Sequence, residues 1–238
     1  MELLAKKNVL IVGSTGGIGA EATKLIRNNQ ANVFITGTNQ DKLNDLAKNL
    51  DIAPHQVYKL DITDSSAVKR VADSIHEQVD KIDILVNAAG VGIIKPLESL
   101  SEEDFDRSID INLKGTFYLL KNFLPKMKAA KKGLVINIPG VLGKTPMAGA
   151  MAYSASKYGL NGMLKSVREE LRRTEVRITN LYLGGVDSPF WDDIDMRINR
   201  DKFITAREAG RAIWFLCQQP SSGVVSEMVI QPFNHQAI

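Results

Sequence analysis

Cysteine and histidine are scarce in this sequence, which has one cysteine, Cys217, and three histidines. One cysteine excludes an internal disulfide bond and a metal site built from cysteine ligands, and the histidines lie too far apart for metal-ligand spacing. The chain also lacks an apolar run near the ~18 residues of a membrane span. Glu2, Lys6 and Lys7 interrupt the apolar stretch that a signal peptide needs. We therefore expect a cytoplasmic protein with no metal ion and no membrane partner.

The sequence also lacks a large excess of charge of one sign, because it has 30 basic and 27 acidic residues and a formal net charge of +3. The basic residues are interspersed with acids, so the sequence lacks the electrostatic footprint of a nucleic-acid-binding protein. The densest basic cluster ends in Lys131 and Lys132, where cations at the carboxyl end of a helix complement its dipole. No nucleic-acid partner is expected.

Short apolar runs alternate with amphipathic segments along the chain, without a linker or a repeat. Such alternation predicts parallel strands joined by right-handed helical crossovers. We expect one domain over residues 1–238 with an α/β, Rossmann-like, doubly wound fold, in which a seven-stranded parallel sheet carries helices on both faces. The ligand of such a sheet binds beyond the carboxyl ends of its strands. The predicted strands are 8–12, 32–36, 56–60, 83–87, 133–138, 176–182 and 226–230, and the predicted helices are 17–29, 40–50, 64–79, 102–130, 152–173 and 205–219.

A glycine-rich turn lies between the first predicted strand and the first predicted helix. This order is the context of a dinucleotide-binding fingerprint, because the pyrophosphate meets free N–H groups at the start of the helix. Gly13 permits the tight turn, Gly17 lets the backbone approach the pyrophosphate, and Gly19 allows close helix packing. The glycine spacing is one residue longer than in the common pattern. The turn consists of Gly13, Ser14, Thr15, Gly16, Gly17, Ile18 and Gly19.

Tyr153 and Lys157 form a second chemical signature. Positions four apart on a helix lie on the same face, so the spacing places an ammonium close to a phenol. The positive charge favours phenolate and is expected to lower the tyrosine pKa from its reference near ~10. A tyrosine adjusted in this way can act as general acid or base toward a hydroxyl or carbonyl group.

These features, with two asparagine motifs, resemble the short-chain dehydrogenase/reductase family over nearly the full length of the chain. The family's leading threonine of the glycine motif is Val12 here, and its helix asparagine matches Asn112. The resemblance implies hydride exchange between a nicotinamide cofactor and a carbonyl or alcohol substrate. The family's Asn-Asn-Ala-Gly motif is matched by Asn87, Ala88, Ala89 and Gly90.

The resemblance also implies the catalytic roles. Tyr153 exchanges a proton with the substrate oxygen, Lys157 lowers the tyrosine pKa and holds the ribose hydroxyls, and Asn112 secures a water chain that relays protons. The family's catalytic serine stands thirteen positions before the tyrosine, where this chain has Gly140. Glycine has no hydroxyl to donate to the substrate oxygen, and loss of one such donor typically costs about 10²–10³ in rate.

Three accounts of this departure stay open. A water molecule could donate in place of the missing hydroxyl, or another hydroxyl such as Thr145 could reach the substrate. Alternatively, the site is idle and the protein is a non-catalytic dinucleotide-binding sensor or scaffold. Pro139, beside the glycine, fixes φ and lacks a backbone donor. Because the other three catalytic positions are retained, we favour an NAD(P)(H)-dependent oxidoreductase.

The cofactor choice depends on the end of the second predicted strand. NAD-preferring members of the family usually carry an aspartate there, whereas this chain has Gly37 and Thr38. No acid repels a 2′-phosphate, so NADP(H) is favoured over NAD(H), although the basic partner of many NADP-preferring members is also missing. The resemblance implies these cofactor-binding residues: Gly13, Ser14, Thr15, Gly17, Ile18, Gly19, Thr38, Asn39, Asp61, Ile62, Asn87, Ala88, Gly90, Tyr153, Lys157, Gly185, Val186 and Ser188.

The segment after the sixth predicted strand departs from the family again. Gly184 replaces a proline and Ser188 replaces a threonine, and a glycine pair makes such a loop more mobile. A short substrate lid is expected around residues 188–204. The acids of this segment are interpreted as a solvated helix start, with recognition of a cationic substrate as the alternative. They are Asp192, Asp193 and Asp195.

The resemblance finally implies a homodimer or homotetramer. Family members assemble through the helices that correspond here to 102–130 and 152–173. Phe117, Leu120 and Phe123 agree with such an interface but could equally belong to the core of the domain. The remaining expected partner is a small-molecule carbonyl or alcohol.

Overall fold

The computed structural model describes residues 4–192, 194, 196, 198–220 and 222–233. Nine strands and seven α-helices alternate along this part of the chain. The strands are β1 Asn8–Val12, β2 Asn32–Gly37, β3 Val57–Lys59, β4 Ile84–Asn87, β5 Lys132–Asn137, β6 Glu175–Leu183, β7 Val186–Asp187, β8 Ile204–Thr205 and β9 Glu227–Ile230. The helices are α1 Gly17–Asn28, α2 Gln40–Leu50, α3 Ser65–Gln78, α4 Glu102–Ile109, α5 Gly115–Ala129, α6 Met151–Glu170 and α7 Ala206–Leu216.

Seven strands form one parallel sheet in the order β3-β2-β1-β4-β5-β6-β9. This confirms the predicted doubly wound α/β fold. The direction of strand addition reverses between β1 and β4, where Val12 pairs with Thr36 on one side and Asn87 on the other. The crevice beyond the carboxyl ends of these strands is therefore the expected ligand site.

Alternate side chains of β1 point to opposite faces of the sheet and enter two separate cores. Val9 and Ile11 join the core that includes Ile213 of α7, together with residues of α1 and α2. Leu10 and Val12 join the core formed with α3, α5 and α6. Full burial of each such aliphatic side chain contributes roughly 1.5–3 kcal/mol. Burial on both faces explains why the predicted strands are continuous apolar runs.

The predicted helix over 102–130 is interrupted. Helices α4 and α5 are joined by a π-helical turn, Asp110–Lys114, closed by a hydrogen bond from the Gly115 N–H to the Asp110 carbonyl. Such turns occur frequently at functional sites, and this one carries Asn112. The other predicted elements are found with ends shifted by up to three residues.

The predicted lid is anchored at both ends by a small parallel sheet that was not predicted. Val186 of β7 pairs with Ile204 of β8, and Asp187 pairs with Thr205. Between them, 3₁₀ turns form at Pro189–Trp191 and Arg200–Lys202. Of the predicted acidic cluster, Asp193 and Asp195 lie outside the described residues.

The apolar residues of α5 divide between core and surface. Leu120 and Phe123 are buried, whereas 46% of Phe117 is exposed. No helix in the described part of the chain is both long and apolar enough to cross a membrane. The same residues contain no group of three or more His, Cys, Asp or Glu side chains with the arrangement of a metal site.

Candidate active site

Tyr153 and Lys157 lie on the first two turns of α6, below a cavity at the carboxyl end of the sheet. The cavity has a volume of about 590 Å³ and is lined by Tyr153 and Gly140 on one side and by the lid on the other. It lies beyond the carboxyl end of β5, because Ile138 and Gly140 follow that strand directly. The predicted proton donor therefore faces a space large enough for a small-molecule substrate.

Lys157 is 4% exposed, and its Nζ donates to the Ile138 carbonyl at 3.2 Å. Burial lowers the Lys157 pKa to about 8. The Nζ lies 5.4 Å from the centroid of the Tyr153 ring, yet burial raises the pKa of Tyr153 above its ordinary value. The expected lowering of the tyrosine pKa is therefore wrong for this structure. Loss of water around the phenol outweighs the attraction of an ammonium that is itself desolvated.

Asn112 is held rigidly by its side-chain amide. Its Oδ1 accepts from the Val91 N–H at 3.0 Å, while its Nδ2 donates to the Val91 carbonyl at 2.9 Å and to Ser156 Oγ at 3.0 Å. Ser156 in turn donates to the Tyr153 carbonyl at 2.7 Å. The asparagine thereby ties the loop after β4 to the first turn of α6, which carries Tyr153.

Gly140 lies beside the Tyr153 hydroxyl. A Cβ atom built on Gly140 would be 3.5 Å from Tyr153 Oη and 3.6 Å from the Leu183 carbonyl, which are ordinary contacts. Its φ of 69° and ψ of 167° lie in a region that is essentially restricted to glycine. The position of the missing hydroxyl therefore adjoins the tyrosine hydroxyl, but the backbone here is adapted to glycine.

The glycine turn forms a tight cradle. Gly13 has a φ of 78°, and a Cβ on it would lie 2.7 Å from the Ala89 nitrogen. A Cβ on Gly19 would lie 2.2 Å from the Gly13 carbonyl oxygen. Helix α1 has no side-chain cap and no acid in its first turn, so its amino terminus favours an anion. These features fit the pyrophosphate of a dinucleotide.

Two predicted cofactor residues use their side chains to hold the cradle together. Ser14 is fully buried, and its hydroxyl donates to the Thr36 carbonyl at 2.9 Å, which turns it away from a phosphate. Asn87 is buried, and its Nδ2 donates to Thr116 Oγ1 at 2.8 Å. The backbone of Ala88 joins the same structure, because its N–H donates to the Val12 carbonyl at 2.9 Å.

Two predicted apolar contacts also belong to the packing of the domain. Ile62 is buried, and a Cβ on Gly115 would come within 2.6 Å of its Cδ1. Ile18 is partly buried against the core that lies below α1. Asp61, beside Ile62, is exposed, and its Oδ1 accepts from the N–H and hydroxyl of Thr63.

The remaining predicted positions border the open crevice. Gly90 is exposed, and a Cβ on it would lie 3.0 Å from Asn112 Oδ1 and 3.3 Å from Lys157 Nζ, so the glycine of the asparagine motif adjoins two of the predicted catalytic residues. Thr38 and Asn39 are exposed at the end of β2. Asn39 Oδ1 also caps α2 by accepting from the Lys42 N–H at 2.9 Å.

The lid contacts the glycine turn directly. A Cβ on Gly17 would lie 2.9 Å from Ser188 Cβ, so a side chain at position 17 would collide with the start of the lid as well as narrow the space for a ligand. Gly185, Val186 and Ser188 line the cavity. Thr145 lines it too. The cofactor cradle and the substrate cavity are therefore adjacent and share the residues that follow β6.

The aromatic residues of the cavity wall fall within the predicted substrate lid, but their packing on one another was not predicted, and neither was the serine beside Asn112. Phe190 lies 5.9 Å from Tyr153, Trp191 lies 5.3 Å from Phe190, and Phe203 lies 5.3 Å from Trp191, measured between ring centroids. The concentration of aromatic residues in one short segment was the available signal for the wall. Ser156 had none, because its partners come from other elements.

Comparisons with known proteins agree with this geometry. A family model described as short chain dehydrogenase matches residues 7–199. An uncharacterized oxidoreductase of Staphylococcus epidermidis is 29% identical over 232 residues, covering 98% of this chain and all of the relative. The 3-oxoacyl-acyl-carrier-protein reductase of Thermotoga maritima is 30% identical over 236 residues, covering 95% of this chain and 96% of the relative. A metagenomic short-chain oxidoreductase in complex with NADP has a TM-score of 0.84 at 29% identity, covering 98% of this chain and 100% of that one.

Proposed function

Because the chain belongs to the short-chain dehydrogenase family, we propose that this oxidoreductase interconverts a carbonyl and an alcohol with NADP(H), and that Tyr153 is its general acid and base. The observation that carries the proposal is the clustering of Lys157 and Asn112 around Tyr153, which lines the cavity, next to a glycine cradle that fits a pyrophosphate. Glycine at position 140 leaves this arrangement in place.

The geometry supports the following division of labour. When bound, the nicotinamide cofactor supplies or accepts the hydride. Tyr153 Oη delivers a proton to the substrate oxygen during reduction and takes it back during oxidation. Burial raises the Tyr153 pKa, so the phenol is protonated at neutral pH and carries the proton that carbonyl reduction consumes. Asn112 fixes the turn of α6 from which the phenol projects.

Lys157 would hold the ribose hydroxyls of the cofactor. Its Nζ lies at the edge of the cradle, 3.3 Å from the position of a Cβ on Gly90, and already donates to the Ile138 carbonyl. An ammonium has three donors, so further hydroxyl acceptors can be bound. With a pKa of about 8, the group is charged at neutral pH and supports the developing negative charge at the substrate oxygen.

The preference for NADP(H) over NAD(H) is supported by the end of β2. Gly37 carries no carboxylate there, and Thr15 Oγ1 would be 2.8 Å from a Cβ on that glycine, so a hydroxyl adjoins the site. Exposed Thr38 adds a second hydroxyl. The relative solved with NADP, at 29% identity, agrees with this choice.

The experiment is a titration of NADPH and NADH binding beside turnover with a panel of aldehydes, ketones and quinones. We expect tighter binding of NADPH and turnover of at least one carbonyl. Tyr153→Phe should retain cofactor binding and lose turnover by at least about 10². Equal turnover in the variant would contradict the role of the phenol.

A second candidate function, a dinucleotide-binding sensor or scaffold, is favoured by one observation. Gly140 offers no hydroxyl beside Tyr153 Oη, and its backbone is adapted to glycine. This candidate predicts saturable NADPH binding without turnover of any carbonyl in the panel. Turnover that depends on Tyr153 would exclude it.

We further propose a cytoplasmic homo-oligomer. Phe105, Phe117, Met151 and Tyr158 expose between 36% and 46% of their surface on α4, α5 and α6, the helices of the predicted interface. Sedimentation equilibrium should give a dimer or tetramer, and Phe117→Glu should shift it toward the monomer. A monomeric wild-type protein would contradict the proposal.

A further inference from the structure

The chemistry of the cavity indicates which carbonyl compounds fit. Building on the proposed function, we propose that the substrate is an uncharged, predominantly apolar carbonyl compound, for which the lid supplies an aromatic wall. Its carbonyl carbon would receive a hydride from NADPH and its oxygen a proton from Tyr153, giving an alcohol and NADP⁺.

The described lining of the cavity contains no charged side chain. Its polar side chains are the hydroxyls of Tyr153, Thr145 and Ser188 and the amide of Gln231. A charged substrate group would therefore lose its water shell without gaining an ionic partner from this described lining, which is strongly unfavourable. The other side chains of the lining are aliphatic, aromatic, proline or methionine, including Ile94, Leu142, Met147, Met196 and Ile198.

Two lysines that neighbour the lining in sequence are paired with carboxylates that do not line the cavity. Lys95, after Ile94, forms an ion pair with Asp104 at 2.5 Å. Lys144, before Thr145, pairs with Glu227 at 2.6 Å. Each ammonium is thus held by a carboxylate outside the cavity lining, and neither lines the space itself.

The lid shows the same arrangement. Arg200 pairs with Asp192 at 2.7 Å and lies 3.9 Å from Asp187. Among the described residues of the lid, the aromatic rings of Phe190, Trp191 and Phe203 line the cavity, whereas Asp192 and Arg200 do not. The predicted recognition of a cationic substrate through Asp192 is therefore disfavoured, because that carboxylate already has a cation.

The aromatic wall is fixed from behind. Trp191 Nε1 donates to the Val186 carbonyl at 2.9 Å. Phe190 and Phe203 pack on glycines, since a Cβ on Gly92 would lie 2.1 Å from Phe190 and a Cβ on Gly185 would lie 2.7 Å from Phe203. The wall is thus positioned by the backbone, and apolar substrate surface would bury against it at roughly 25 cal/mol per Å².

Three para-substituted benzaldehydes test this inference: 4-tert-butylbenzaldehyde, 4-(trimethylammonio)benzaldehyde and 4-carboxybenzaldehyde. The first two have nearly the same shape and differ in charge. The ammonium group also activates the carbonyl chemically, so intrinsic reactivity opposes the expected order. We expect kcat/KM with NADPH to be about 100-fold higher for the tert-butyl compound than for either charged one. A preference for a charged aldehyde would overturn the inference and leave the proposed function intact.

Matched variants of Met147 place the effect in this cavity. Met147 is half-buried in the loop before α6 and lines the cavity. Met147→Lys should raise kcat/KM for the carboxylate relative to the tert-butyl compound by about tenfold or more, whereas Met147→Leu should leave the ratio unchanged. An unchanged ratio in a folded Met147→Lys protein would contradict the assignment of this cavity to the substrate.

A binding readout separates failure of the inference from failure of the proposed function. The chain has two tryptophans, and Trp191 lines the cavity while Trp214 lies on α7. In a Trp214→Phe background, 4-tert-butylbenzyl alcohol should quench fluorescence saturably, and the anionic 4-carboxybenzyl alcohol should not. Quenching without turnover of any aldehyde would refute the proposed catalysis and support the apolar site. Absence of quenching together with absence of turnover would refute the apolar site and the proposed catalysis alike.

Discussion

Replacement of Gly140 by alanine or serine tests how the missing hydroxyl relates to the reaction. The φ of 69° and ψ of 167° cost a side-chain-bearing residue about 1–3 kcal/mol. A Cβ there meets only ordinary contacts at 3.5 Å and 3.6 Å, so no steric penalty adds to that cost. Gly140→Ala and Gly140→Ser should therefore lose the same stability, and at ~2–4 °C per kcal/mol for a chain of this size the Tm should fall by about 2–12 °C.

The hydroxyl is the one functional difference between the two variants. The Cβ position lies 3.5 Å from Tyr153 Oη, so a serine Oγ can reach an oxygen bound beside the phenol. If that hydroxyl donates, Gly140→Ser should have a kcat about 10²–10³ above Gly140→Ala. The assay is NADPH oxidation at saturating cofactor and aldehyde, with thermal unfolding of both variants. Equal kcat values, with equal Tm values, would refute the placement of position 140 at the reacting oxygen.

Comparison with the wild type then identifies the present donor. A serine variant about tenfold faster than the wild type would show that the natural site works without a replacement hydroxyl. A wild type as fast as the serine variant would mean that water or Thr145 already donates. In that case Thr145→Val should slow the wild type but not Gly140→Ser.

Three further predictions concern the cradle and two titratable groups, the partly buried His76 and the buried Lys157. Gly13 has a φ of 78°, and a Cβ on it would lie 2.7 Å from the Ala89 nitrogen, so Gly13→Ala should weaken NADPH binding at least about tenfold and lower the Tm. The control Gly162→Ala, whose Cβ would meet nothing within 4 Å in helix α6, should be neutral or stabilising. Equal losses of NADPH binding in folded samples of both variants would contradict the role of the glycine turn as the cofactor cradle. Burial, and to a smaller extent nearby Lys126, lowers the pKa of His76 below 6.5. The unfolded state therefore binds the proton first, and the free energy of unfolding falls as the pH falls through 6.5. Urea unfolding at pH 7.5 and pH 5 should show a smaller loss of unfolding free energy in His76→Gln than in the wild type. Burial lowers the Lys157 pKa to about 8 from 10.5. Between these pH values the unfolded state holds a proton that the folded state has lost, so the free energy of unfolding should rise with pH in the wild type but not in Lys157→Met. Parallel pH dependences of the two proteins would contradict the lowered Lys157 pKa.

Sequence patterns predict the fold well because strands buried on both faces must be apolar throughout. Val9 and Leu10 enter opposite cores of the sheet, and the resulting continuous apolar run is visible without a structure. The glycine turn was equally readable, because Gly13 and Gly19 stand at positions where a Cβ would overlap the backbone. Such constraints are local to a few residues.

Features that depend on the surroundings were not predictable from spacing. The i to i+4 relation of Tyr153 and Lys157 was correct, but it carries no information on desolvation, which reverses the direction of the tyrosine pKa. The π turn at Asn112 has the same apolar pattern as an uninterrupted helix. Ser14 was expected at a phosphate, yet the Thr36 carbonyl of the neighbouring strand takes its hydroxyl. In each case a partner distant in sequence decides the outcome.

The lid was predictable in position but not in structure. Strands of two residues, such as Val186–Asp187, are too short to show a period. The pairing of Asp192 with Arg200 depends on how the lid folds back on itself. With that pairing, the described aromatic side chains of this segment form one wall of an apolar cavity, although the sequence of the segment is acidic.

Hydride transfer itself is the most direct test of the central claim that this site works with a glycine at position 140. Wild-type protein is incubated with NADPH carrying deuterium at both C4 positions and 4-tert-butylbenzaldehyde, and the alcohol is analysed by mass spectrometry, with Tyr153→Phe as the control. We predict one deuterium at the carbinol carbon for the wild type and a rate at least about 10² lower for the variant. Saturable NADPH binding with no deuterium in the alcohol, for this aldehyde and for the full carbonyl panel, would contradict the account and identify a binding protein.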